Sequence, residues 1–206
     1  MADNDVSYPS FQRPVTLHSI HAQKIVRRSF ERTSNALYNA DVVVRILTSS
    51  EEKGDQLEEV IHRMINDIEA SLNEAFQGRM KQLEEKGITI LPKYASPKDY
   101  NFEVRSPHVA RYIQLVVLFD EYIKHIDALW LMGVMDNSEH DKDAYNWRQA
   151  ILKFSSDVID VESRAMKAAR SDYYADSKSK NSDTPDQESR TSSRSKTNQK
   201  GSSNSK

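Results

Sequence analysis

Apolar residues recur at alternating steps of three and four along four stretches of the chain, a spacing that predicts four amphipathic helices. The third stretch is apolar on almost every side near its start, so we expect this helix to be central. The repeating positions are Val26, Phe30, Thr33, Leu37, Ala40, Val44 and Leu47; Ile61, Met64, Ile68, Leu72, Ala75 and Leu83; Val109, Tyr112, Val116, Phe119, Ile123, Ile126 and Trp130; and Trp147, Ile151, Phe154, Val158, Val161, Ala165 and Ala168. They indicate a mainly α fold of long helices.

Capping residues and glycines predict where the helices begin and end. The second helix starts in one of two capping boxes, Ser49–Glu52 or Asp55–Glu58, and Gly54 between them is compatible with the later start. Gly87 is placed as the residue that ends this helix. The stretch 133–138 separates the third helix from the fourth.

Three short stretches have β character. Pro14–Ile20 is an extended segment, and Ile88–Leu91 is a short β-like run. Between residues 98 and 105 the pattern has period two, which predicts a strand with one buried face and one polar face. The buried positions are Tyr100, Phe102 and Val104, and the polar ones are Asp99, Asn101, Glu103 and Arg105. Ser106-Pro107 follows at once and predicts a sharp start of the third helix.

Composition indicates one folded domain between two flexible ends. Of the 206 residues 37% are hydrophobic and 29% charged, which suffices for a core. Beyond Tyr173-Tyr174-Ala175 nearly all residues are polar or small, so burial cannot offset the entropy of ordering them. We expect a flexible N-terminus over 1–13, a helical domain over 14–172, and a disordered polar tail over 173–206.

Several classes of protein are disfavoured. The chain has no cysteine, which excludes disulfides, thiol catalysis and Cys-ligated zinc. Its apolar runs are too short to span a bilayer, and its acidic first residues do not resemble a secretory signal, so we expect a cytoplasmic protein without membrane contact. The histidines are scattered, and no nucleophile elbow, phosphate loop or dinucleotide motif occurs. We expect no enzyme, no cofactor, no metal and no small-molecule ligand, and we expect Asp120 and Asp127 to cap or pair rather than to catalyse.

Basic residues lie in two groups, although the formal net charge of the chain is −2. One group is on the polar side of the first helix, and the other surrounds the predicted strand and the start of the third helix. Each is either a solvated face or a phosphate-binding surface, since a helix N-terminus beside arginines suits an anion. The groups are Lys24, Arg27, Arg28 and Arg32, and Lys98, Arg105 and Arg111.

The order strand, Ser-Pro, helix, helix is the order of ribbon-helix-helix proteins. In these proteins the strands of two subunits pair and enter the major groove, while helix N-termini hold the flanking phosphates. Asn101 and Arg105 suit base edges, and Glu103 could accept from cytosine. Carboxylates on the same face are a poor match for phosphate-rich DNA.

The chain also resembles the AcaB-type family of bacterial mobile-element regulators over roughly residues 15–170. The resemblance is carried by Ala22-Gln23-Lys24-Ile25-Val26 with Arg28, the Glu-rich helix from Leu57 to Glu84, the strand before Ser106-Pro107, and the runs Leu115–Asp120 and Leu129–Asp136. It implies transcriptional activators of conjugative plasmids and integrative conjugative elements. It further implies a ribbon-helix-helix-like region that binds double-stranded DNA as a dimer, at promoters of transfer genes, in the bacterial cytoplasm.

Two functional hypotheses follow. The first is a homodimeric DNA-binding regulator whose domain over 14–172 serves both DNA binding and dimerisation, with Lys98, Asn101, Glu103, Arg105, Arg111, Lys24, Arg27 and Arg28 as candidate DNA contacts. The second is a non-enzymatic helical bundle that acts as a protein–protein adaptor or structural protein. Apolar stripes at heptad-like spacing suit a dimer, because one stripe can be buried on association.

Overall fold

The computed structural model describes residues 9–47 and 51–182, which are mainly α-helical with one two-stranded antiparallel sheet. The elements are β1 (Phe11–Leu17), α1 (Ile20–Ile25), a π turn (Val26–Phe30), α2 (Glu31–Tyr38), a second π turn (Asn39–Val43), α3 (Val44–Leu47), α4 (Glu51–Glu85), β2 (Lys98–Val104), α5 (Pro107–Leu131) and α6 (Asn137–Ser182). The predicted fold class, long helices with short strands and a strand–helix–helix element, is confirmed. In the described part of the chain, no helix has both the length and the apolar character that crossing a bilayer requires.

The first predicted helix is one continuous helical segment, because α1, α2, α3 and the two π turns follow each other directly. Ser19 caps its start, where its hydroxyl oxygen accepts a hydrogen bond from the Ala22 amide at 3.1 Å. The predicted stripe faces the core, and its buried members are Thr33, Leu37, Ala40 and Val44. The 3-4 spacing did not predict the two π turns.

The second predicted helix, α4, begins at Glu51, so the later of the two alternative starts, at Asp55, is wrong. Ser49, the other predicted cap, lies outside the described residues. Asp55 instead accepts a hydrogen bond from Arg45 of α3 at 3.1 Å. Gly54 lies inside α4 at the same contact, where an added Cβ would be 3.0 Å from the Arg45 Cγ. A glycine at this place therefore lets α3 and α4 approach closely.

The end of α4 follows the prediction. Gly87 has a φ of +67°, the left-handed conformation that glycine adopts without strain. The Ile88 amide donates to the Leu83 carbonyl at 2.9 Å, and the Gly87 amide donates to the Glu84 carbonyl at 3.0 Å. These two bonds form a Schellman motif, which satisfies the last carbonyls of the helix.

The predicted strand around residues 98–105 is confirmed as β2, and its partner is β1 of the same chain. The antiparallel register pairs Phe11 with Val104 and Leu17 with Lys98. β1 therefore begins inside the stretch 1–13 that was expected to be flexible. The predicted β character of Ile88–Leu91 is wrong, because this segment has irregular backbone without a strand partner among the described residues.

Helix α5 is the centre of the fold, as predicted. Ser106 accepts from the Val109 amide at 3.4 Å and Pro107 is the first helical residue, so the predicted Ser-Pro start is confirmed. Six of the predicted stripe positions are buried, whereas Trp130 at the far end is 40% exposed. The buried ones are Val109, Tyr112, Val116, Phe119, Ile123 and Ile126.

Helix α6 packs against this core from Ala144 to Ala169. Asp136 caps its start by accepting from the Glu139 amide at 2.8 Å. Ile151, Phe154 and Val158 are buried as predicted, but Ala168 is exposed, since Met166 and Ala169 take the buried positions there. The helical backbone reaches Ser182, past the boundary expected near 173, and the rest of the predicted tail lies outside the described residues.

Candidate nucleic-acid interface

The outer surface of the sheet, here called the strand face, is polar and exposed. It consists of Gln12, Pro14 and Thr16 from β1 and Asp99, Asn101 and Glu103 from β2. Phe102 and Val104 on the opposite side are buried, so the predicted alternation of β2 is confirmed. The register places Pro14 opposite Asn101 and Gln12 opposite Glu103, and all four side chains are accessible to a ligand.

The charge of the strand face is acidic. Thr16 donates a hydrogen bond to Asp99 at 2.6 Å. Glu103 is a second carboxylate on the same surface. Lys98 is exposed and has no ion pair among the described residues. A ligand that approaches this face therefore meets amide and carboxylate groups first.

Arg105 directly follows β2 and lies against α2. Its Nη2 donates to the Asn35 Oδ1 at 2.5 Å, and its guanidinium lies 4.7 Å from the centre of the Tyr38 ring. Its Nε is 3.9 Å from Glu103. Arg105 thus connects the end of β2 to the first helical segment through these contacts, while its side chain remains partly exposed.

Arg111 joins α5 to α4. Its guanidinium binds both carboxylate oxygens of Glu69, at 2.6 and 3.3 Å, and donates to Asn66 at 2.7 Å. In such a bidentate arginine–carboxylate pair the charges of the two partners neutralise each other. Arg111, one of the predicted DNA contacts, is therefore engaged within the protein.

The N-terminus of α5 is also occupied by protein groups. Ser106 accepts from the Val109 amide, and an oxygen of Asp41 accepts from the His108 amide at 3.4 Å. The other oxygen of Asp41 contacts the His108 ring. Since a carboxylate already lies where an anion would bind, this helix start has little room for a phosphate.

The other three predicted basic contacts, Lys24, Arg27 and Arg28, lie together beside α6. With Arg148 and Leu152 they line a cavity of about 560 Å³, here called the basic cavity. Within the described residues, Lys24, Arg27 and Arg28 form no ion pair. Sequence reasoning missed Arg148, because only the packing of α1 on α6 brings it to residues so distant along the chain.

His21 lies at the edge of the basic cavity. The Arg148 Nη1 is 3.2 Å from the His21 Nδ1, and the Arg148 guanidinium lies 5.4 Å from the centre of the Tyr145 ring. Burial lowers the pKa of His21 below its ordinary value, and the positive charges of Arg148 and Lys24 lower it further. Burial is the larger of these causes, and the two cations beside His21 add to it.

Asp120 and Asp127 act as the sequence predicted, as a cap and as a pairing group. Buried Asp120 accepts from the amides of His18 and Ser19, at 2.9 and 2.7 Å, just before α1. Asp127 accepts from the Tyr94 hydroxyl and lies 2.6 Å from the His140 Nε2. Burial and this carboxylate raise the pKa of Tyr94. Among the described residues, no group of three His, Asp or Glu side chains is placed to hold a metal ion.

Comparison with known proteins identifies a relative of this chain. No protein-family model matches the chain, and no curated protein matches it. The chain is similar to AcaB from uropathogenic E. coli, for which a crystal structure is known. The matched region covers 91% of this chain and 94% of the AcaB chain. The two are 32% identical, and their folds superpose with a TM-score of 0.77. Identity at this level over nearly the whole length of both chains shows common descent, and the chain belongs to the same family as AcaB.

Proposed function

We propose that this protein is a dimeric DNA-binding transcriptional regulator whose strand face enters the major groove. The observation that carries the proposal is the strand face itself, a polar two-stranded surface held rigidly by a buried apolar side and followed at once by α5. A two-stranded ribbon fits the major groove, and Asn101 at the middle of β2 suits an adenine edge. The resemblance to AcaB-type regulators supports the finer proposal, an activator of conjugative-transfer genes in the bacterial cytoplasm.

The attraction to DNA has to come from residues outside the strand face, because Asp99 and Glu103 repel phosphates. Lys24, Arg27 and Arg28 are exposed and form no ion pair within the described residues. Burial raises the pKa of Tyr100 on the inner side of β2, and the positive charge of Arg27 opposes this rise, so Arg27 lies near that side of the strand. We therefore assign the phosphate contacts mainly to these three cations, with Lys98 at the start of β2. Arg105 and Arg111 position β2 and α5 in this scheme.

The dimer is proposed from the free edge of β2. β1 occupies one edge of β2, and in the described part of the chain the sheet contains only these two strands. A free strand edge presents unpaired backbone groups that a second copy can bond. Two copies of β2 paired about Asn101 would form a two-stranded ribbon at the centre of a four-stranded sheet, with β1 of each copy at the outer edges, and would place the two strand faces side by side.

Disulfide trapping tests the ribbon, because the chain has no cysteine of its own. Residues that face each other across antiparallel strands have Cα atoms about 4.5–5.5 Å apart, within the range of a disulfide. We expect oxidised Asn101→Cys to run as a covalent dimer. Gln77→Cys, exposed on α4, serves as the control and should remain monomeric. Equal cross-linking of both variants would refute the ribbon.

Salt dependence tests the DNA contacts. Binding to a random duplex should weaken steeply with salt, and each phosphate contact contributes about −0.9 to the slope of log K against log salt. Replacement of Lys24, Arg27 and Arg28 together by Gln should make the slope shallower by about 2 to 3. Arg63→Gln, which removes an exposed arginine paired with Glu59, should leave it unchanged. Wild-type protein that does not bind duplex at all would refute DNA binding.

Base contact by the strand face needs a specific site, which can be selected from a random duplex library with the wild-type protein. On that site Asn101→Ala should bind about tenfold or more weakly, since one good base contact contributes about 1–3 kcal/mol of discrimination. Gln77→Ala should bind as wild type does. If Asn101→Ala kept full affinity, the strand face would not be the reading surface.

An adaptor function is the second candidate, and one feature favours it. The turn from α5 to α6 exposes four apolar side chains in sequence, Trp130, Leu131, Met132 and Val134, which are 39–64% exposed. Exposed apolar groups that lie together are typical of protein-binding surfaces. If wild-type protein flows through a DNA resin at low salt, this turn becomes the place to search for a protein partner.

A further inference from the structure

The basic cavity is open to solvent, and two separate helical segments build it, the first helical segment and α6. Lys24 comes from α1, Arg27 and Arg28 come from the first π turn, and Arg148 and Leu152 come from α6. Its volume of about 560 Å³ is within the range of small-molecule sites, which is roughly 300–1,000 Å³. DNA-backbone contact alone does not require a cavity, because phosphates of a duplex are reached from a flat or convex surface.

The cations of the cavity differ from many others in the protein. Arg45, Arg79 and Arg111 each have a carboxylate within 3.1 Å, whereas Lys24, Arg27 and Arg28 have none among the described residues. Lys24 and Arg28 are four residues apart on a helix, a spacing at which like charges repel and destabilise. An arrangement that lowers stability in the free protein indicates a negatively charged ligand.

The local backbone supports the same conclusion. Single π turns inside α-helices are rare and occur frequently at functional sites. Here the first π turn contains both Arg27 and Arg28. Arg148 of α6 is also positioned, because His21 of α1 and the Tyr145 ring both contact its guanidinium.

We propose that the basic cavity binds a small phosphorylated ligand with two or more phosphate groups, of the size of a nucleoside di- or triphosphate. Lys24, Arg27, Arg28 and Arg148 bind the phosphates, and Leu152 offers an apolar contact to the rest of the ligand. The site does not depend on the proposed DNA binding. Because three of these cations are also the proposed backbone contacts, an occupied cavity would weaken DNA binding and make the protein responsive to the ligand.

Calorimetry on the full chain tests the proposal with pyrophosphate, ATP and adenosine as probes. We expect pyrophosphate and ATP to bind with one site per chain, and adenosine not to bind. Arg148→Gln and Arg28→Gln should each weaken both phosphate probes about tenfold, since each removes a charged hydrogen bond. Arg32→Gln is the matched control, because Arg32 lies one turn after Arg28 and does not line the cavity. It should bind as wild type does.

A titration of the His21 ring by NMR gives a second readout that folding defects do not mimic. A bound polyphosphate brings negative charge next to His21, so pyrophosphate should raise its pKa in the wild type and much less in Arg148→Gln. Absence of binding by both phosphate probes would overturn the proposal. So would equal losses in Arg32→Gln and Arg28→Gln, which would indicate diffuse counterion binding. If the cavity variants lost affinity only for duplex, the cavity would be part of the DNA surface and the small-ligand assignment would be wrong.

Discussion

Asp120→Asn is the sharpest test of how the first helical segment is attached to α5. The Asp120 side chain is 2% exposed, and its two oxygens accept from the amides of Ser19 and His18 at 2.7 and 2.9 Å. A hydrogen bond to a charged group contributes about 1.5–3 kcal/mol. Asparagine keeps one accepting oxygen but directs an NH₂ group at the other amide, so one charged bond is lost and two donors face each other. We therefore expect a loss of about 3 kcal/mol in the free energy of unfolding.

The measurement is urea unfolding followed by far-UV circular dichroism, with a thermal scan beside it. For a domain of this size, about 3 kcal/mol corresponds to a fall in Tm of roughly 6–12 °C. Asp157→Asn is the control, because Asp157 forms an exposed pair with Lys153 and its loss should change stability by less than about 0.5 kcal/mol. A loss below about 1 kcal/mol for Asp120→Asn would show that Asp120 does not hold the start of α1.

Three further changes have defined outcomes. In urea unfolding, Ser34→Ala should leave the free energy of unfolding unchanged or raise it by up to about 1 kcal/mol, because the buried Ser34 hydroxyl has no hydrogen-bond partner among the described residues. A clear loss of stability would contradict this. Tyr112→Phe should cost about 1–2 kcal/mol, since the buried Tyr112 hydroxyl lies 2.9 Å from the Ser155 hydroxyl, and an unchanged denaturation midpoint would count against that bond. The pKa of His21 is lower in the folded protein than its value of 6.5 in the unfolded chain. As the pH falls below about 6.5, the unfolded state therefore binds more protons than the folded state, and the free energy of unfolding decreases. His21→Gln should show a smaller loss between about pH 7.5 and pH 5.5, and an equal loss in both proteins would refute this contribution.

The parts of the fold that the sequence predicted are those that depend on neighbours along the chain. The start of α5 follows from Ser106-Pro107, and the end of α4 follows from Gly87, since caps involve residues within one turn. The two faces of β2 follow from strict alternation between residues 98 and 104. The buried face of each helix follows from apolar residues spaced three and four apart, because this spacing places them on one side of the helix.

The parts that the sequence did not predict depend on contacts between distant segments. The sequence left two starts open for α4, and the later one is wrong because Gly54 lies inside the helix, where it lets Arg45 of another helix approach. Arg111 looked like a free cation until α4 placed Glu69 beside it. Arg148 was not among the predicted contacts, because only the fold places it beside Arg27 and Arg28. Charge alone did not distinguish cations available for ligands from cations engaged within the protein.

The pairing of β1 with β2 has a consequence for the order of folding. Thr16 and Asp99, which bond across the sheet, are 83 residues apart, and His18 and Asp120 are 102 residues apart. Closing a loop of that length costs entropy before any contact compensates for it, whereas helices form from local contacts within microseconds or less. The sheet should therefore be among the last elements to form and the first to open. Since β1 supplies half of the strand face, that surface would exist only in molecules that have completed folding.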